Sequence, residues 1–154
     1  MTKLRALVPL LSFFLAAGSP AQILPVANLR IESLKEGEGR VLFNTRDKTA
    51  IGTNGIMVTY GDAVLTADNI IAHLETYEVI ASGRVRIQLD DQVWAGEAVR
   101  YNFKNRQMQT EHFRTGRSPF FAEGEGLAGN FTNQTYTATA TNAYLTTDDI
   151  AEPF

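Results

Sequence analysis

The chain has 154 residues, no cysteine and a formal net charge of −3, with charged residues making up 20% of it. That length suits one domain with a core of its own, and the acidic balance argues against a nucleic-acid-binding surface. Without cysteine there is no disulfide framework, so an exported chain of this kind depends on its core and its sheet hydrogen bonds.

Lys3 and Arg5 head the chain, Ala6 to Gly18 is mostly apolar and uncharged, and Ser19-Pro20-Ala21 supplies small residues. This is the pattern of a secretory signal peptide cleaved near Ala21-Gln22. The apolar run falls short of the ~20 residues that a spanning helix needs, and no cysteine stands at the cleavage point to carry a lipid. Residues 1–21 therefore read as a signal peptide, 22–28 as a leader and 29–154 as one domain, exported to the periplasm.

The mature chain reads as strands throughout. Leu29 to Lys35 and Arg40 to Asn44 are split by the turn-prone Glu36-Gly37-Glu38-Gly39. In Gly55 to Tyr60, residues Ile56, Val58 and Tyr60 share one face. Ala63 to Asp68, Asn69 to Leu74 and Val79 to Ser82 follow. Arg84 to Leu89 is the clearest amphipathic strand, with Val85, Ile87 and Leu89 on one side and Arg84, Arg86 and Gln88 on the other. Val93 to Ala95, Ala98 to Phe103, Gln107 to Phe113, Phe120 to Ala122, Gly126 to Phe131, Gln134 to Thr139 and Asn142 to Thr146 complete the set. No window after the signal reads as a long amphipathic helix. β-Branched and aromatic residues are frequent and turn signals recur every few residues, so the fold class is all-β, a sandwich, barrel or stacked jelly roll built from short strands.

A repeat favours the stacked form. Asp68 to Thr76 is echoed by Glu97 to Asn105, an offset of 29 that sets Ile70, Ala72 and Leu74 against Val99, Tyr101 and Phe103. A weaker third echo is expected at Ala143-Tyr144-Leu145. Between them, Thr115 to Gly129 reads as an irregular stretch, because it holds Pro119, Gly116, Gly124, Gly126 and Gly129.

Catalysis finds little support. The two histidines, His73 and His112, have no second ligand at a metal spacing, and His73 aligns with Asn102 in the repeat. Asp90-Asp91 and Asp148-Asp149 fit turns, and Glu123-Gly124-Glu125-Gly126 would repel a phosphate. No catalytic residue, metal ligand or cofactor is expected. Arg84, Arg86, Arg100, Lys104 and Arg106 form a basic stripe on outward strand positions, as a solvated face would.

The phrase Leu65-Thr66-Ala67-Asp68-Asn69-Ile70-Ile71-Ala72-His73-Leu74-Glu75-Thr76, followed by Val79-Ile80-Ala81-Ser82-Gly83-Arg84-Val85, resembles the OstA-like (organic-solvent-tolerance) repeat, and Trp94 to Asn105 fits the same template. The resemblance covers about residues 50–147. The family includes the periplasmic bridge protein of lipopolysaccharide transport and the N-terminal domain of the outer-membrane translocon. It implies a twisted, V-shaped β-jelly roll that holds acyl chains inside and stacks edge to edge. Asn142 to Asp148 is similar to the end of the translocon's domain, with Asp148 where the translocon often has cysteine. The resemblance therefore implies either a free-standing lipid-binding bridge or a remnant of a translocon domain.

On this resemblance the groove would be lined by Ile70, Ala72, Leu74, Val79, Val85, Ile87, Leu89, Val99, Tyr101, Phe103 and Met108. Acyl burial there would gain ~25 cal/mol per Å². The same residues equally suit a closed sandwich core. Arg84, Arg86 and Arg100 would meet lipid phosphates at the groove rim. The terminal strands, with Leu29 and Ile31 at one end and Ala143 and Leu145 at the other, would pair head to tail with further OstA-like domains. The expected partners are thus lipopolysaccharide or a similar lipid, and such domains. The alternative is a non-catalytic periplasmic module that docks a partner by edge pairing and binds no lipid.

Overall fold

The computed structural model describes residues 28–90, 92–117, 119–131 and 137–147. The expected signal peptide, the leader up to 27, and Asp148 lie outside the described residues. Among the described residues, nine strands form one antiparallel sheet: β1 (Leu29–Ser33), β2 (Arg40–Asn44), β3 (Thr49–Tyr60), β4 (Ala63–His73), β5 (Glu78–Leu89), β6 (Gln92–Asn102), β7 (Gln107–Arg117), β8 (Phe120–Asn130) and β9 (Thr137–Thr146). From β3 to β9 each strand pairs with the next, while β1 and β2 both pair with β3. Among the described residues the sheet is therefore open, with β1 and β2 sharing one edge and β9 forming the other.

The strands are longer than the sequence suggests. What reads as two short strands is one long strand bent in the middle. Asn69 to Leu74 continues Ala63 to Asp68 within β4, and Arg84 to Leu89 continues Val79 to Ser82 within β5. Register shifts fall at Thr53/Ile56, Thr66/Asn69 and Ser82/Val85, and again between Glu123 and Leu127. Each shift bends and twists its strand, and together they draw a bend line across the sheet. Gly83 sits on that line with φ of +74°, and a Cβ there would lie 2.6 Å from Asp68 Oδ2 and 2.9 Å from Asp68 Cβ. Glycine is the residue that meets both demands at once.

The bend divides the sheet into two arms. No helix stands among the described residues to cover a sheet face, yet Ala50, Ile56, Val58, Leu65, Ala72, Val79, Ala81, Ile87, Leu89 and Tyr101 are all 0% exposed. The arms must cover each other, and aromatic contacts show it. Trp94 of one arm meets Phe131 of the other at 4.9 Å between ring centroids, and Tyr60 meets Phe103 at 6.2 Å. The result is a twisted β-jelly roll made from one folded sheet.

The repeat is one hairpin. β4 and β6 begin at Ala63 and Gln92 and end at His73 and Asn102, so the offset of 29 carries the β4–β5 hairpin onto β6–β7. The expected third echo at Ala143 to Leu145 is corrected: the third hairpin is β8–β9, beginning at Phe120. The stretch from Thr115 to Gly129 is mostly regular strand. Its glycines make room for rings: a Cβ on Gly116 would lie 2.6 Å from Phe121, and one on Gly129 would lie 2.8 Å from Phe131.

Candidate functional site

The inner faces of the arms carry apolar rows that cross the whole sheet. In one arm the cross-strand partners run Ile31, Val58, Leu65, Ile87, Trp94, Thr115, Ala122 and Leu145. In the other they run Phe43, Ala50, Ala72, Val79, Tyr101, Met108, Gly129 and Ala138. A parallel row holds Val41, Gly52, Ile70, Ala81, Val99, Thr110, Leu127 and Ala140. Strand alternation produces these rows directly, because directly paired residues point to the same side.

All eleven positions expected to line a groove belong to this interior. Ile70, Ala72, Val79, Val85, Ile87, Leu89, Val99, Tyr101, Phe103 and Met108 are buried, and Leu74 is partly buried against them. In this conformation they pack on one another as a closed core. Two polar atoms inside it, Trp94 Nε1 and Tyr101 Oη, lack hydrogen-bond partners, and burial pushes the Tyr101 phenol up. Thr110 and Thr115 are buried but satisfied: Thr115 Oγ1 donates to Val93 O at 2.9 Å, and Thr110 Oγ1 lies 2.8 Å from Ala98 O.

The rows do not end in polar caps. Leu145 closes the first row at the β9 edge and is 68% exposed, and Phe43 opens the second at the β2 edge and is 45% exposed. Of the residues expected on the terminal strands, Leu29 is buried and Ile31 half-buried on β1, while Ala143 and Leu145 on β9 are exposed. The sequence reading missed β2 as part of the same edge.

The three arginines expected at a rim lie on the outer face, behind the inner rows. Arg84 donates to Asp68 across the bend, with Nη2 2.6 Å from Oδ1, and Arg100 donates to Glu78 Oε1 at 3.2 Å. Arg86 pairs with Thr66 and Ala95 in an outward row. It borders an outer-face groove of about 920 Å³ that follows the bend past Glu97, Arg114 and Tyr144. The arm tips are joined by a different pair. Arg106 on the β6–β7 turn donates to Asp62 on the β3–β4 turn at 2.7 and 2.9 Å. Burial alone pushes the Asp62 carboxyl up, but the hydrogen bonds and charge of Arg106 outweigh it and hold it below its ordinary value. Asp62 did not stand out in the sequence, and Arg106 read as a member of a solvated stripe.

Neither histidine joins a cluster. His73 is partly exposed and His112 exposed, and no group of three or more metal-ligating side chains occurs among the described residues.

No protein-family model matches the sequence, and no curated protein matches it. Solved structures do match. One is the crystal structure of LptH from Pseudomonas aeruginosa, the LptA-homologous periplasmic component of the conserved lipopolysaccharide transport device. The similarity has a TM-score of 0.59 at 12% sequence identity, and covers 77% of this chain and 93% of that one. The chain therefore has the β-jelly-roll fold of that periplasmic component.

Proposed function

We propose that this protein is a periplasmic lipid carrier or bridge in lipopolysaccharide transport to the outer membrane. Acyl chains lie between the two arms, against the inner rows. One observation carries the reading: the mostly apolar rows cross the sheet from the β1/β2 edge to the β9 edge, and two of them finish in exposed large apolar side chains, Leu145 and Phe43. A core that only stabilised a monomer would gain nothing from leaving Phe43 and Leu145 in water. A lipid path that continues into a neighbouring domain needs apolar ends. The shared fold with LptH supports the same reading.

In this account the closed core is the empty state. Acyl chains enter as the arms part, exchanging arm-to-arm contact for arm-to-lipid contact at ~0.8 kcal/mol per buried methylene. Because the exchange is apolar for apolar, no deep binding minimum forms and lipid can move on. The open edges at β1/β2 and β9 pair head to tail with like domains, extending the path. Export by the N-terminal signal peptide brings the protein to this compartment.

Site-specific photo-crosslinking to lipopolysaccharide tests the reading. A photoreactive residue at Ile87 or Tyr101, on the inner rows, should label the lipid, and one at Arg86, on the outer face, should not. Equal labelling at all three positions overturns the interior site. Labelling nowhere, with self-association intact, favours the module that docks by edge pairing alone.

A further inference from the structure

The outer face of the sheet carries an apolar row that the proposed lipid path does not use. Leu42 on β2 pairs with Ile51 on β3, Ile51 with Ile71 on β4, and Ile71 with Ile80 on β5. These four aliphatic side chains lie side by side behind the inner rows. Leu42 is 70% exposed, Ile51 46% and Ile71 43%. Strand alternation puts charged or polar residues on a solvated outer face, so four successive aliphatic residues there mark a surface that is covered in use. Edge pairing on β2 does not cover them, since Ile51 and Ile71 stand on the face of interior strands.

The charge at the β2–β3 end of this row is cationic, on a chain whose net charge is −3, while at the β5 end Glu78 and Arg100 pair with each other. Arg40 shares the outer side of β2 with Leu42, and Arg46 and Lys48 stand on the turn that closes the β2–β3 hairpin. All three are exposed. None has an acidic partner within 4 Å among the described residues, while the hairpin's one acid, Asp47, accepts from Asn44 Nδ2 at 2.6 Å. Four side chains on four strands fall well short of the ~20–30 residues that a stable protein–protein interface engages on each partner. A few exposed aliphatic side chains ringed by two or three cations match an anionic membrane surface instead, where apolar insertion and charge attraction add.

We infer that the β2–β3 hairpin and the outer row from Leu42 to Ile80 dock on an anionic lipid surface. The hairpin dips its aliphatic row between headgroups, and Arg40, Arg46 and Lys48 engage lipid phosphates. This sets the outer face of the β2–β3 hairpin against a membrane and leaves the hydrogen-bonding edge of the sheet free to pair, and it holds whatever occupies the interior.

The chain has no cysteine, so a single Leu42→Cys substitution takes an environment-sensitive fluorophore at the row, and Thr139→Cys on the outer side of β9 serves as the far control. Vesicles of phosphatidylglycerol in phosphatidylcholine should shift the Leu42→Cys emission to the blue, and a nitroxide carried on the lipid should quench it. The Thr139→Cys label should do neither. Pure phosphatidylcholine vesicles or high salt should abolish the effect. Adding Arg46→Gln and Lys48→Gln to the Leu42→Cys chain should weaken vesicle affinity about fivefold for each charge removed. No response to anionic vesicles, or an equal response at Thr139→Cys, overturns the inference. A blue shift that grows with protein concentration in the absence of vesicles also overturns it, because the row then covers a second copy of the chain.

Discussion

Arg106 donates to both carboxylate oxygens of Asp62, across 44 positions of sequence, and so ties the tips of the two arms together. The pair sits beside the Tyr60, Tyr77 and Phe103 cluster, in which Tyr60 meets Tyr77 edge-on at 5.3 Å. It therefore latches the mouth through which lipid enters in the proposed function. The pair is half exposed and worth at most ~1 kcal/mol to global stability. Asp62→Asn or Arg106→Gln should change the unfolding midpoint little. Either should speed amide hydrogen exchange locally, at Tyr101 to Phe103 and at Tyr60, as the tips part more often. Unchanged exchange at these positions removes the latch from the account.

The latch has a pH signature with a definite sign. The Asp62 carboxyl lies below its ordinary value of 3.8 in the folded chain. The folded state then binds that proton less tightly than the unfolded state does. The pair's contribution is fully present above 3.8 and is lost as pH falls through the lowered value. The Asp68–Arg84 pair titrates in the same direction, so the comparison is wild type against Asp62→Asn. Their difference in denaturant midpoint should stay constant from about pH 7 to about pH 5 and vanish in stronger acid.

Gly83 tests the bend. Gly83→Ala introduces a Cβ into the space of Asp68 at a φ of +74°. It should cost about 1–3 kcal/mol in urea unfolding. A neutral result would show that the bend line accommodates side chains and does not fix the arms.

Tyr101 tests the nature of the interior. Its hydroxyl is buried without a partner, and such a group costs about 1–3 kcal/mol. Tyr101→Phe should therefore stabilise the empty protein, seen as a higher urea midpoint. Loss of stability would mean that the hydroxyl is satisfied in the closed state.

Leu145 tests edge pairing. Because it is 68% exposed, Leu145→Glu should leave the thermal midpoint nearly unchanged. The same substitution puts a charge at the end of an inner row and should weaken self-association by about tenfold or more in sedimentation. Association unchanged by Leu145→Glu would mean that β9 is not the joining edge.

The strand faces were legible in the sequence wherever alternation is strict. Val85, Ile87 and Leu89 point inward, and Arg84, Arg86 and Gln88 outward, as their spacing says. The offset of 29 was legible too, because each hairpin repeats the same pattern of turn and face. The bend was not. A bulge adds a residue and breaks the alternation, so the break at Ser82 to Val85 reads as the end of one strand and the start of another. The outer row was hidden because Val41-Leu42-Phe43 is uniformly apolar and assigns no face by itself. The Asp62–Arg106 pair was hidden because each residue sits in a polar turn, where sequence gives no sign of a distant partner. The burial of the groove candidates was compatible with either a core or a lipid site. The folded sheet explains why the two look alike: in the closed state the arms occupy the place of the lipid.

Trp94 offers the most direct test of that idea, because it is the sole tryptophan of the chain, lies on an inner row and is 6% exposed. The measurement is its fluorescence during titration with lipid A carrying bromine on its acyl chains, against the same lipid without bromine. If acyl chains lie between the arms, the brominated lipid quenches Trp94 saturably and the plain lipid does not. Saturable binding with no bromine-dependent quenching, or no binding at all, would contradict the account.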